Sequence, residues 1–193
     1  MNKIKFGTDG WRAIIAKDFT VTNVIRVTEA TAKWLKNNFE NPSVVVGHDC
    51  RFGGELFAET VTKVLCANNI KVFLAKGFVS TPMVSLGAFH FKSSLGIILT
   101  ASHNPPSYNG YKLKGGYGGP LLPEKIQEVE DLIADATSFN IDEHYLNIFE
   151  SNNLLEYVDL ESLYIEVVKK SFDIEAIANS KMDFAFDAMY GAG

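Results

Sequence analysis

"LGIILTASHNPPSYNGYKLKGG", residues 95–116, is the stretch that decides the fold. Leu95 to Leu99 is a near-continuous apolar run closed by turn-forming residues, the pattern of a strand buried on both faces of its sheet. Such a strand needs helices on each side, which points to a layered α/β domain. Ser102 follows almost directly, so its hydroxyl falls at the carboxyl edge of the sheet, where open α/β sheets bind ligands. Asn104-Pro105-Pro106 fixes φ at two successive residues and keeps Asn104 out of helical geometry, which stiffens the loop. Asn109-Gly110 has the composition of a type I′ hairpin turn and predicts an outgoing strand over Tyr111–Lys114. On that strand Lys112 and Lys114 share one face, and Tyr111 and Leu113 the other.

Working outward, Val44–Gly47 reads as a second buried strand, and "KVFLA" (Lys71–Ala75) as a third. The segment between them, starting at Phe57, carries Phe57, Val61, Val64 and Leu65 on one helical face. Val21–Asn37 has helical spacing after Thr20, an N-cap residue type, and Pro123–Ala136 has it with Pro123 near the helix start. The alternation predicts a three-layer α/β/α domain with a mixed, mostly parallel sheet. Residues 140–159 have no dominant period, so a junction is placed near Ser151, giving a first domain over 1–150 and a linker with the incomplete start of a second, similar domain over 151–193. In that second part Leu160–Phe172 reads as a helix, and "MDFAFDAMYGAG" as a buried strand running into a glycine turn. The helix that ordinarily follows such a turn does not come, so the unit reads as cut in mid-motif. Its unpaired strand would be loosely held or would self-associate with another copy.

Composition narrows the class. With 47% hydrophobic and 21% charged residues, the chain has the balance of an ordinary globular protein and not of a disordered one. A net charge of −5 without a basic run gives no footprint for nucleic acid. No stretch has the length of a membrane span and the start has no apolar signal core, so no membrane partner is expected and the cytoplasm is the default. Cys50 and Cys66 have neither CxxC spacing nor a disulfide framework, which suits a reducing compartment and two structural thiols.

The chemistry is concentrated around Ser102. Ser102 and His103 do not read as a hydrolase dyad, since neighbouring side chains diverge, no orienting acid is identifiable and the GxSxG elbow is absent. A hydroxyl ringed by cationic and proton-transferring groups is instead the means of holding and passing on a phosphoryl group. The plainer alternative is a connecting loop, with His103 an orienting hydrogen-bonder and Lys114 a solvated surface charge.

Two further stretches weigh against the plain alternative: "FGTDGWR" (Phe6–Arg12) and "GHDCR" (Gly47–Arg51). Together with "TASHNPPSYNGYKL", in this order, they resemble the α-D-phosphohexomutase superfamily, the phosphoglucomutases and phosphomannomutases. The resemblance implies that Ser102 is a phosphoserine. It would give its phosphate to a hexose monophosphate and take the other phosphate back from the hexose 1,6-bisphosphate. His103 would assist by hydrogen bonding or proton transfer, Lys112 would act as general base or acid on the sugar hydroxyl, and Arg12 would steady the phosphoserine region. Thr8, Asn104 and Lys114 would contact the sugar phosphate substrate, while Asp49 and Arg51 would form an ion pair or cap that shapes the site from behind. The resemblance also implies Mg²⁺, held through the phosphate on Ser102 and by ligands outside this chain, because the family's DxDxD-type cluster does not occur here. The chain is thus expected to be an N-terminal portion of such an enzyme, inactive without the remaining domains. The motifs lean towards glucose and mannose substrates over glucosamine. A phosphorylatable interaction module without turnover is the competing reading.

Overall fold

The structure, a computed structural model, describes residues 4–7 and 10–188. Six strands form one sheet: β1 (Trp11–Ile14), β2 (Ser43–His48), β3 (Lys71–Ala75), β4 (Leu95–Leu99), β5 (Tyr108–Gly115) and β6 (Leu155–Val158), in the spatial order β1-β5-β4-β2-β3-β6. The strands from β4 to β6 run parallel, whereas β5 is antiparallel to both β4 and β1. The sheet is therefore mixed and mostly parallel, as expected. From β2 the chain leaves towards β3, and from neighbouring β4 it leaves the other way towards β5. The carboxyl ends of β2 and β4 thus flank the crevice that divergent connections open in α/β sheets.

The helices are α1 (Val21–Asn38), α2 (Gly54–Ala67), α3 (Thr81–His90), α4 (Pro123–Asp131), α5 (Leu146–Ser151), α6 (Leu160–Ser171) and α7 (Ile174–Ala178). Thr20 caps α1, its hydroxyl accepting from the Asn23 amide at 3.3 Å, and Pro123 opens α4. Alternation along the strands sorts the core into two layers. Val44, Val46, Ile97, Leu99 and Leu113 pack with the apolar faces of α1, α2 and α4, while Val45 and Ile98 pack on the opposite face with Val84 and Ala88 of α3 and Leu160 of α6. Helix α4 stops short of the expected Ala136. The Ala134 carbonyl accepts instead from Arg26 Nε at 2.7 Å. Among the described residues no helix is long and apolar enough to cross a membrane. Cys66 is buried, and burial pushes its thiol up to about 12, which fits a structural role; Cys50 is exposed, which does not.

Asn109-Gly110 does not form a hairpin turn. Both residues lie inside β5, with Gly110 opposite Arg12 and Asn109 opposite Ala13. A Cβ on Gly110 would sit 2.4 Å from the Thr100 carbonyl oxygen and 3.0 Å from that of Trp11, so this glycine is needed for close approach of three backbones. Pairing with β1 on one side and the end of β4 on the other outweighs the dipeptide's local preference, and the reversal falls earlier, at residues 100–107.

Strands β1 and β6 and helix α3 were not legible as such, being short or, in α3, apolar without a clear face. Strand β6 lies beyond the junction placed near Ser151 and yet pairs with β3 in the same sheet, with Leu155, Val158 and Leu160 buried. The sheet and its core therefore extend to Leu160. Helix α6 matches the expected helix over 160–172 closely. The strand expected from Met182 is not formed over the described residues: 181–188 have no regular structure and Phe184 and Phe186 are exposed, with no neighbouring strand among the described residues to satisfy their backbone. The glycine turn after it lies outside the described residues.

Leu160 tests this extension of the core. Leu160→Ala removes a side chain that is 1% exposed between α3 and β2, so urea unfolding should report a loss of about 2–5 kcal/mol. An unchanged midpoint would mean that the first core closes without residues past Ser151.

Candidate active site

The loop after β4 carries Ser102 with φ of 55°, in the left-handed region that non-glycine residues rarely occupy. Such backbone strain costs about 1–3 kcal/mol and persists only where the surroundings over-determine it. Here they do. Thr100, the first residue past β4, donates its hydroxyl proton to Asp49 Oδ2, and its own Oγ1 accepts from the Ser102 amide at 2.9 Å. The Asp49 amide donates to the Leu99 carbonyl at 3.2 Å, which ties the end of β2 to the end of β4.

Arg51 supplies the larger constraint. Its Nη1 donates to the carbonyls of Pro105 (3.0 Å) and Tyr108 (3.1 Å), and its Nη2 to those of Ser102 (2.5 Å) and Asn104 (2.8 Å). Its backbone amide donates to Asp49 Oδ1 at 3.0 Å, and its Nε lies 3.4 Å from Asp49 Oδ2. The rigid guanidinium fork lets one side chain bind four carbonyls of one loop, which a lysine cannot reproduce. A hydrogen bond from a charged donor contributes about 1.5–3 kcal/mol, so any two of the four offset the strain at Ser102. The ion pair expected from "GHDCR" is present, and it acts as the clamp of the serine loop.

Arg12 reaches the same loop from β1, its Nη1 donating to Asn104 Oδ1 at 3.0 Å. The structure therefore brings Arg12, Asp49, Arg51, Ser102 and Asn104 into one connected arrangement. Ser102 and His103 are exposed at its rim. Thr8 lies outside the described residues.

Lys112 and Lys114 share one face of β5, as expected, but both are buried, at 4% and 5% exposure. Lys114 is thus not a solvated surface charge. It stands opposite Gly96, whose missing side chain leaves room beneath α3. Lys112 stands opposite Ile98, two residues nearer the serine-bearing end of β4, a displacement of roughly 7 Å. Its stem passes Gly10, which has φ of 102°; a Cβ there would come within 2.8 Å of Lys112 Cγ. On the other face Tyr111 is wholly buried, and burial pushes its phenol up to about 12 while the facing Thr28 and Thr31 hydroxyls pull the other way. Sequence reasoning missed Thr100 and the reach of Arg51. A hydroxyl just past a strand end carries no signal of its own, and the carbonyls of a loop are invisible to side-chain patterns.

A mixed six-stranded sheet flanked by helices, with a clamped serine loop at the switch crevice, defines an α/β/α domain. Residues 3–140 match the family model described as phosphoglucomutase/phosphomannomutase, alpha/beta/alpha domain I, and the chain belongs to that family. Among its relatives, a phosphoglucomutase/phosphomannomutase of Thermococcus kodakarensis is 34% identical over 97% of this chain and 40% of its own length. A phosphoglucomutase of Staphylococcus saprophyticus is 33% identical over 82% of this chain and 29% of its own length. A crystal structure from Thermus thermophilus, provisionally assigned as a phosphomannomutase, superposes with a TM-score of 0.80 at 35% identity, covering 92% of this chain and 38% of that one. The chain spans less than half the length of each.

Replacing Arg51 by lysine keeps the charge and removes the fork. In Arg51→Lys, hydrogen exchange at the Ser102, Asn104 and Tyr108 amides should quicken about tenfold or more, while β2 and β4 stay protected. Unchanged exchange in the loop would remove Arg51 from the role of clamp.

Proposed function

We propose that this chain is the phosphoserine domain of a phosphohexomutase, which interconverts hexose 1-phosphates and hexose 6-phosphates through a hexose 1,6-bisphosphate. The observation that carries the reading is Ser102, exposed at the carboxyl edge of the sheet and held at φ of 55° by carbonyl bonds from Arg51 and by the Thr100–Asp49 pair. Phosphoryl transfer depends on positioning and on fixed charge more than on covalent novelty, and a loop locked before the substrate arrives supplies the positioning.

In the first half-reaction the sugar hydroxyl oxygen attacks the phosphorus on Ser102. A P–O bond to the sugar forms as the bond to Ser102 Oγ breaks, and the sugar hydroxyl proton passes by way of Lys112 to the departing Ser102 Oγ. After the bisphosphate turns over, Ser102 Oγ attacks the other phosphorus and its proton passes by way of Lys112 to the departing sugar oxygen. His103, exposed at the loop rim, assists the transfer by hydrogen bonding or proton transfer, and Arg12 steadies the loop through Asn104. Thr8, Asn104 and Lys114 contribute to holding the sugar phosphate, which for this family's glucose and mannose members is a hexose monophosphate.

A divalent cation would neutralise charge on the moving phosphoryl group. The described residues bring no three His, Cys, Asp or Glu side chains together, so they do not form a Mg²⁺ site. A phosphate on Ser102 is the ligand this chain would offer, the others coming from further domains of the enzyme. Without those domains steady mutase turnover is not expected of the 193 residues, whereas transfer to Ser102 is.

The lysines separate this mechanism from mere charge. Phosphoryl transfer from labelled glucose 1,6-bisphosphate to the protein should slow about 10²- to 10⁴-fold in Lys112→Met, the worth of a general acid or base, and much less in Lys114→Met. If Lys114→Met is the more damaging change, the assignment of the proton to Lys112 fails.

A further inference from the structure

Away from the serine loop, a cavity of about 590 Å³ lies beside β1 and the start of α1. Among the described residues its lining holds four basic ones, Lys5, Arg12, Lys17 and Arg26, and one acid, Asp18. Arg12 sends its guanidinium to Asn104, whereas Trp11 and Ala13, its neighbours on the strand, belong to the α1-side core. The cavity therefore opens on the α1 side of β1, separate from Ser102.

Arg26 is the informative residue. It is 3% exposed and carries a guanidinium. Its Nε donates to the Ala134 carbonyl at 2.7 Å and its Nη1 to Asn23 Oδ1 at 2.8 Å, both neutral acceptors. Among the described residues no carboxylate pairs with it, and the hydrogen bonds it makes are those of Nε and Nη1. Burying a charge without a counter-charge is costly, and the surroundings add to the deficit. The first turn of α1 carries no acidic residue, its helix dipole places further positive charge at the cavity, and Lys5 and Lys17 are exposed at the rim. Asp18, the one acid among the described lining residues, makes no ion pair with any of them.

We propose that this cavity binds a small phosphate-bearing anion, either free inorganic phosphate or the phosphate group of a small metabolite. Arg26 Nη2 and Lys17 Nζ donate to the phosphate oxygens, and the start of α1 faces them. The site is independent of the phosphoserine reading, since none of the residues assigned to the reaction is required to donate here.

The test is a two-dimensional nitrogen–proton NMR titration of the 193-residue chain with inorganic phosphate, and separately with glucose 6-phosphate, against sodium chloride at equal ionic strength. The indole signal of Trp11, told from that of Trp34 by a Trp34→Phe variant, and the Asn23 amide report on the cavity. The Ser102 and Asn104 amides report on the serine loop. Saturable shifts at Trp11 and Asn23 are expected with phosphate. Their appearance with inorganic phosphate assigns the free anion, and with glucose 6-phosphate alone the metabolite. Lys17→Gln, which removes a charged donor, and Arg26→Lys, which keeps the charge but removes the Nη2 donor, should each weaken binding about tenfold. Lys17 is exposed, so the first variant retains the fold if the buried substitution does not. Shifts confined to Ser102 and Asn104, shifts that do not saturate, or affinity unchanged in Lys17→Gln would overturn the proposal.

Discussion

One guanidinium holds the serine loop. Arg51 binds four backbone carbonyls of residues 102–108 and is itself oriented by Asp49, so the conformation of the loop is set from behind the surface that a substrate would meet. The side chains of this pair are 8% and 2% exposed, and the desolvation of such charges absorbs much of their mutual attraction. Their value lies in geometry. Asp49 joins β2 to β4 through the Leu99 carbonyl and takes the Thr100 proton, Thr100 takes the Ser102 amide, and Ser102 is thereby kept in a backbone conformation it would not hold alone.

The sheet exists to bring these parts together. The chain leaves β2 and β4 in opposite directions, so the Asp49–Arg51 segment and the Ser102 loop emerge side by side. Strand β5 returns antiparallel and carries Lys112 under the α3 layer, opposite Ile98. Strand β1 closes the edge and delivers Arg12 to Asn104. Three separate segments of sequence thus converge on the Ser102 loop, and none of them could fix it without the pairing of the strands.

Much of this was legible in the residues. The apolar runs at Val44–Gly47, Lys71–Ala75 and Leu95–Leu99 carry the parallel centre of the sheet on their own, because burial on both faces leaves no polar alternation to confuse them. The motif around Ser102 marked the loop that Arg51 clamps. What escaped was decided by tertiary context. Asn109-Gly110 obeys strand neighbours over its local turn preference, and Lys114 is buried because Gly96 and α3 make room for it. Leu155–Val158 is an edge strand too short to declare itself, and the apolar residues around Phe184 and Phe186 would form a strand only beside another one. Hydrogen bonds to carbonyls, the substance of the Arg51 clamp, leave no trace in a side-chain pattern.

The central claim is that this geometry makes Ser102 the phosphoryl carrier of a phosphohexomutase domain. The most direct measurement is to incubate the chain with glucose 1,6-bisphosphate and Mg²⁺, digest it, and locate the added phosphate by tandem mass spectrometry. The account predicts a single phosphorylated peptide with the phosphate on Ser102. Phosphate on another residue, or a chain left unmodified under conditions that phosphorylate a full-length relative, would contradict it.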